Sequence, residues 1–254
     1  MEFKPPYNQV IHQDCIKFTS SLEKESVNLI VTDPPYGVNF KTDIYNDSQD
    51  YITQQAPLWL NSMYNVLKDN SHCYIFTGTK SLRLWLNAIE DSDFIFQNII
   101  NLPSYCNGQY LKNNFYYRTE HILFLSKGKS KKLNEVDFIK TSEAWLKDKR
   151  NTKPKPYTYS YPNFWDFVFA NSKANTKKNL HPNQKNVELL KILIQLSSNV
   201  GDTVLDPFAG SGSTAIASII TNRKFLGCDS NQDCVDISNK RIHQELNLPD
   251  YKNN

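Results

Sequence analysis

Thr203-Val204-Leu205-Asp206-Pro207-Phe208-Ala209-Gly210-Ser211-Gly212-Ser213-Thr214 decides the fold. A short strand-forming run enters a glycine-rich turn, and a helix-period segment, Ser213–Thr221, leaves it. Glycine permits a tight turn and a close backbone approach, and the helix start behind it offers free N–H groups and a positive dipole end. Such a strand–turn–helix accommodates a nucleotide-like cofactor. About 20 residues on, the strand candidate Lys224–Cys228 runs into Asp229, whose carboxylate can accept both ribose hydroxyls of an adenosine. That spacing would also serve a dinucleotide dehydrogenase. Against it, the turn lacks a regular G-x-G-x-x-G pattern and opens with Asp-Pro-Phe.

Outward from this turn, strand and helix periods alternate. Further strand candidates are Gln9–His12, Val27–Thr32, Cys73–Thr77, Phe94–Asn101 and His121–Leu125; helix candidates are Ile52–Leu67, Ser81–Ile89, Val187–Ser197 and Asn231–Leu246. Alternation of this kind predicts an α/β fold with a mostly parallel sheet covered on both faces. From Gly128 to Lys178 it collapses into lysines, prolines (Pro154, Pro156, Pro162) and aromatics. Between Lys127 and Lys178 there are 13 Lys/Arg against 5 Asp/Glu, a local +8 that leaves −5 for the rest of a chain whose net charge is +3. A basic insert on a mildly acidic body suits a phosphate-binding face. Lys147, Lys149, Arg150, Lys153 and Lys155, interleaved with Tyr157 and Tyr159, are the candidate nucleic-acid contacts, with Lys41 in the loop Gly37–Asp50 as another. Trp165 and Phe167 are expected to pack inward. The organisation predicted is a body formed by 1–128 and 179–254, with the insert at 129–178.

With 254 residues the chain can bury a proper core. Its five cysteines are scattered and never spaced as C-x-x-C, which argues against a disulfide framework and a zinc site and fits a reducing cytoplasm. No cluster of metal ligands stands out. The first residues, Met1-Glu2-Phe3-Lys4-Pro5-Pro6, have no apolar run, and no stretch approaches the ~18 apolar residues of a membrane span, so a soluble cytoplasmic protein is expected.

A second motif, Asp33-Pro34-Pro35-Tyr36, follows the strand candidate Val27–Thr32. Two prolines fix φ and restrict the residue before each, so the turn is stiff before any substrate arrives. Stiffness suits a reaction that needs in-line approach of an amine lone pair to a methyl donor. The exocyclic amine of a base is a poor nucleophile, its lone pair being delocalised into the ring. Hydrogen bonds from it to the Asp33 carboxylate and the Pro34 carbonyl would localise that pair, while Tyr36 stacks on a base flipped from the duplex.

These residues resemble the DNA amino-methyltransferases that use S-adenosylmethionine, in the β arrangement where the catalytic motif precedes the cofactor motif. Asp33–Tyr36 resembles the catalytic motif, and Asp206–Thr214 the cofactor turn. Val10–Cys15 is similar to the strand and acidic turn on the adenine side, His72–Thr77 to a core strand, and Tyr117–Leu123 to a block bordering the target-base pocket. Asn163-Phe164-Trp165 and His181-Pro182-Asn183-Gln184-Lys185 are similar to the family's tryptophan and H-P-x-Q-K elements, although Asn183 and Asn186 replace its usual threonine and second proline. The resemblance implies a class I, Rossmann-like methyltransferase with a seven-stranded sheet, circularly permuted to begin near the third strand and end after the second. A short basic target-recognition insert completes it. It implies a catalytic set Asp33, Pro34, Pro35 and Tyr36. The cofactor set implied is Asp14, Cys15, Asp33, Lys185, Asp206, Phe208, Ala209, Gly210, Ser211, Gly212, Ser213, Thr214, Asp229 and Ser230.

The activity implied is site-specific methylation of adenine N6 in double-stranded DNA, since aspartate heads the motif in adenine enzymes more typically than in cytosine ones. Cytosine N4, RNA adenine N6 and a catalytically silent DNA-binding relative are the alternatives. A cognate restriction endonuclease is an expected partner, and both monomer and homodimer are compatible with the chain.

Overall fold

The structure, a computed structural model, describes residues 6–38, 46–103, 119–136, 163, 165 and 184–246. Its elements run β1 (Val10–His12), α1 (Cys15–Ser20), β2 (Val27–Thr32), α2 (Gln49–Val66), β3 (Leu67–Gly78), α3 (Leu82–Glu90), β4 (Ile95–Pro103), β5 (Thr119–Lys127), α4 (Val187–Ser197), β6 (Thr203–Asp206), α5 (Ser213–Ile220), β7 (Lys224–Asp229) and α6 (Gln232–Leu246). The seven strands form one sheet in the order β1-β7-β6-β2-β3-β5-β4. Pairing is parallel from β1 across to β3, and β5 runs antiparallel to both its neighbours.

Central strands buried on both faces must be apolar throughout, and β2 shows it. Leu29 and Val31 point into a cluster with Leu189, Leu193 and Leu196 of α4, while Ile30 points into the opposite cluster with Phe18 of α1, Trp59 and Leu60 of α2 and Trp85 of α3. A third cluster, with Val10, Phe225, Ile216, Val235 and Ile242, fastens α5 and α6 to the sheet beside β1. Trp165 is 1% exposed and packs against the outer half of the sheet, as expected. Its backbone N–H donates to the Asn101 carbonyl at 2.9 Å, while Asn101 N–H donates to the Asn163 carbonyl at 2.7 Å, so Asn163 and Trp165 are hydrogen-bonded to β4.

Two elements depart from the sequence reading. Helix α1 was not foreseen; Asp14 caps it, its Oδ1 accepting from Ile16 and Lys17 N–H at 3.1 Å each. Strand β3 begins at Leu67 rather than near Cys73. The polar Lys68-Asp69-Asn70-Ser71 falls between the helix and strand candidates, yet the strand there pairs with β2 at Leu67 and His72 and with β5 at Ser71.

Chain order reverses direction between β6 and β2: β6 leads through α5 to β7 on one side, and β2 leads through α2 to β3 on the other. Ligands in open α/β sheets bind beyond the carboxyl ends of strands at such a switch point. Because Leu29 pairs with Val204 and Ile30 with Leu205, the Asp33 and Asp206 turns emerge side by side.

Candidate active site

A cavity of about 460 Å³ opens at this switch point, within the range of small-molecule sites. One wall is the glycine turn. Gly210 is left-handed (φ +50°), and an added Cβ would meet only the Phe208 carbonyl at 3.9 Å, so glycine supplies backbone freedom there. Gly212 also adopts positive φ (+76°), but it lies off the cavity and its Cβ would meet Ser238 Cβ at 3.0 Å. Glycine there lets the turn pack closely on α6.

Asp229 and Ser230, from the end of β7, form the adjoining wall with Asn231. The Asp229 carboxylate accepts from Gly210 N–H at 2.8 Å and from Asn231 N–H at 2.9 Å, so it is held on the cavity rim by two backbone bonds. Trp59 meets Phe208 edge-on at 4.8 Å between centroids and Tyr51 at 6.3 Å, and these rings make the apolar side. Cys15 completes it; burial, aided by Asp14, pushes its thiol up to about 12, so it is a neutral lining group rather than a nucleophile.

Asp206 is 2% exposed and ties the two turns together. Thr32 Oγ1 donates to its Oδ1 at 2.7 Å, and Phe208 N–H donates to the same oxygen at 3.1 Å. Burial above all raises its carboxyl to about 7, with the charge of Asp33 adding to the effect and the bonds from Thr214, Thr32 and Phe208 opposing it.

The opposite wall is the Asp33–Tyr36 turn, and here four polar side chains converge. The Tyr36 hydroxyl lies 2.7 Å from Asp33 Oδ1 and 2.7 Å from Glu120 Oε1. Lys185 Nζ is 2.6 Å from Glu120 Oε1, 3.0 Å from the Tyr36 hydroxyl and 3.2 Å from Asp33 Oδ2. Lys185 therefore lines the cavity and turns its ammonium towards Asp33, Tyr36 and Glu120. The Tyr36 ring is braced by Gly78, where a Cβ would stand 3.3 Å from Cδ2. Asp47 takes Gly37 N–H at 2.7 Å and Val38 N–H at 3.1 Å, anchoring the chain just beyond the turn.

Of the residues expected from the sequence, the structure brings together Asp14, Cys15, Asp33, Pro34, Pro35, Tyr36, Lys185 and Asp206 with Phe208, Ala209, Gly210, Ser211, Ser213, Thr214, Asp229 and Ser230 on one cavity. Sequence reasoning missed Glu120, which stood inside the block Tyr117–Leu123 but carried no signal of its own. It also missed the Tyr51–Trp59 wall, whose residues read as ordinary helix core. Lys41, Lys147, Lys149, Arg150, Lys153, Lys155, Tyr157, Tyr159 and Phe167 lie outside the described residues. Among the described residues no group of His, Cys, Asp and Glu could hold a metal ion, and no helix is long and apolar enough to cross a membrane.

One reversed strand in a seven-stranded sheet, with an acidic turn facing a glycine turn across the switch point, defines a class I methyltransferase fold. The strand order is the permuted one expected, starting near the third strand of that fold and ending after the second. The chain belongs to the N6/N4 DNA methylase family, whose profile matches residues 27–240. It is 29% identical to Type II methyltransferase M.HpaI of Haemophilus parainfluenzae, over 94% of this chain and 75% of that one. DNA adenine methyltransferase YhdJ of Escherichia coli (strain K12) is 31% identical over 92% of this chain and 82% of its own. Among solved structures, the M1.HpyAVI–SAM complex superposes with a TM-score of 0.65 at 22% identity, over 94% of this chain and 99% of that one.

Proposed function

We propose that the protein methylates adenine N6 in double-stranded DNA with S-adenosylmethionine as donor. The observation that carries this reading is the meeting of two motifs in one cavity: the Asp33–Tyr36 turn and the Phe208–Gly210 turn stand beyond adjacent strands, locked by the Thr32–Asp206 bond. The cavity chemistry fits the donor. Asp229 offers a carboxylate to ribose, Trp59, Tyr51 and Phe208 offer rings to the adenine, and the glycine turn offers backbone N–H groups. When bound, the donor supplies an electrophilic methyl on sulfur. The protein's own part is to hold the amino group in line, through Asp33 and the Pro34 carbonyl, and to keep water from the site. Adenine is favoured by Asp33 at the head of the turn and by the relative YhdJ, a DNA adenine methyltransferase.

The basic stretch with Lys147, Lys149, Arg150, Lys153, Lys155, Tyr157 and Tyr159 serves as the DNA-phosphate and base-stacking face of the proposed insert. A cognate endonuclease is a fitting partner, since M.HpaI is a Type II methyltransferase, and the cytoplasm is a fitting location for the buried free thiols. The test is to incubate the protein with S-adenosylmethionine and unmethylated genomic DNA, digest to nucleosides and analyse by mass spectrometry. N6-methyldeoxyadenosine that is absent with Asp33→Ala is the expected result. N4-methyldeoxycytidine would overturn the choice of base, and methyl transfer to RNA in preference to DNA would overturn the substrate.

A further inference from the structure

The Tyr36 hydroxyl has one hydrogen and two carboxylate neighbours. It stands 2.7 Å from Asp33 Oδ1 and 2.7 Å from Glu120 Oε1, distances at which a hydrogen must lie between the oxygens for the contact to be favourable. Lys185 fills neither gap, because its ammonium faces Glu120 Oε1, Asp33 Oδ2 and the phenol oxygen along lines of its own. With both carboxylates ionised, one gap is empty and the cluster carries a net negative charge. One proton shared by the pair fills both gaps and neutralises the cluster. A further strain acts on Glu120: its side chain is 10% exposed, it lines the cavity, and Oε2 is buried with no hydrogen-bond partner among the described residues.

We propose that Glu120 is a positioning residue that turns Asp33 from a mere hydrogen-bond acceptor into a proton-accepting base, the two carboxylates sharing one proton through the Tyr36 hydroxyl. This rests on the proposed transfer to a base amine. On gaining a methyl, the amino nitrogen carries one hydrogen too many. That N–H bond breaks with its electrons staying on nitrogen, and the proton forms an O–H bond at Asp33. Asp33 and Glu120 are then joined by the filled chain Asp33–Tyr36–Glu120, and release of the proton to solvent resets the site.

The surroundings agree. Burial raises the proton affinity of Asp33, Glu120 adds to it as a like charge, and Lys185 and the Tyr36 hydroxyl oppose. Asp206, on the neighbouring turn, and His121, beside Glu120 on β5, are the other titratable groups that sense this pair. Lys185 keeps its own proton through both carboxylates, against its burial, so it orients the pair without donating to the product.

The test is the pH profile of single-turnover transfer, scored as total methylated nucleoside whatever the base, for wild type, Glu120→Gln and Glu120→Asp. Removing the like charge should move the acid limb of Glu120→Gln to lower pH by about one unit or more, and the weaker base should slow the plateau by roughly tenfold or more. Glu120→Asp should keep the wild-type limb. A slower Glu120→Gln with an unmoved limb means a structural role and overturns the proposal, as does an unchanged plateau. Infrared spectroscopy of the free Asp206→Asn protein, with ¹³C-labelled carboxyls, gives a readout that needs no turnover and removes the other buried carboxyl that holds its proton towards neutral pH. A protonated carboxyl persisting towards neutral pH supports the shared proton, and full ionisation in mildly acidic solution overturns it. Should the wild type transfer no methyl group at all, the proposed function fails, and the infrared titration still decides the state of the pair.

Discussion

Asp206→Asn should make the protein more stable, and increasingly so as pH rises. The carboxyl is 2% exposed, and its burial raises it from 3.8 to about 7. Folding therefore increases its hold on a proton, so between these values the native state binds more protons than the unfolded chain. Stability contributed by the neutral carboxyl is present in full below the unfolded value and is lost as pH rises through the folded one. A shift of about three units at ~1.4 kcal/mol each sets a ceiling of roughly 4 kcal/mol. Asparagine keeps the size of the side chain and an oxygen to accept from Thr32 Oγ1 and Phe208 N–H, so the lock between the two turns survives. The assay is urea unfolding of both proteins at several pH values. Between about pH 4.5 and pH 8 the advantage of the variant should widen by roughly 3 kcal/mol. An advantage, or a deficit, that stays constant with pH would refute the reasoning, because it would mean that Asp206 is ionised throughout and comfortably solvated by its hydrogen bonds.

Asp33→Ala should abolish methyl transfer while cofactor affinity, measured by calorimetry, stays near wild type; equal loss of both would make Asp33 a cofactor ligand first. Asp229→Ala should weaken cofactor binding by ~1–3 kcal/mol, and should lower the melting temperature too, since the carboxylate also holds Gly210 and Asn231 N–H. Gly227→Ala would drive a methyl into the Phe225 ring and set it 2.7 Å from the Asp206 carbonyl, and should cost ~1–3 kcal/mol in chemical denaturation. Neutralising Lys147, Lys149, Arg150, Lys153 and Lys155 together should weaken DNA binding and flatten its salt dependence, read by fluorescence anisotropy across salt concentrations.

The strand Val27–Thr32 and the helix Val187–Ser197 were legible to the residue, because a run of apolar side chains with a clear period admits one conformation. Strand direction was not. Nothing in His121–Leu125 says that it runs against its neighbours, since a buried strand carries the same apolar run either way. Helix α1 escaped because its six residues are too few to display a period.

The amino-acid sequence by itself determined the local chemistry: a stiff acidic turn after one strand, a glycine turn after another, and an aspartate after a third. Each is written in consecutive residues, so backbone preference alone makes it readable. Tertiary structure decided which of these side chains act on one another. Asp33, Glu120 and Lys185 come from three segments distant along the chain, and only the sheet order sets Glu120, at the start of a reversed strand, against Tyr36 and Lys185. Interaction between buried charges depends on distance and on exclusion of water. Neither exists until the chain has folded.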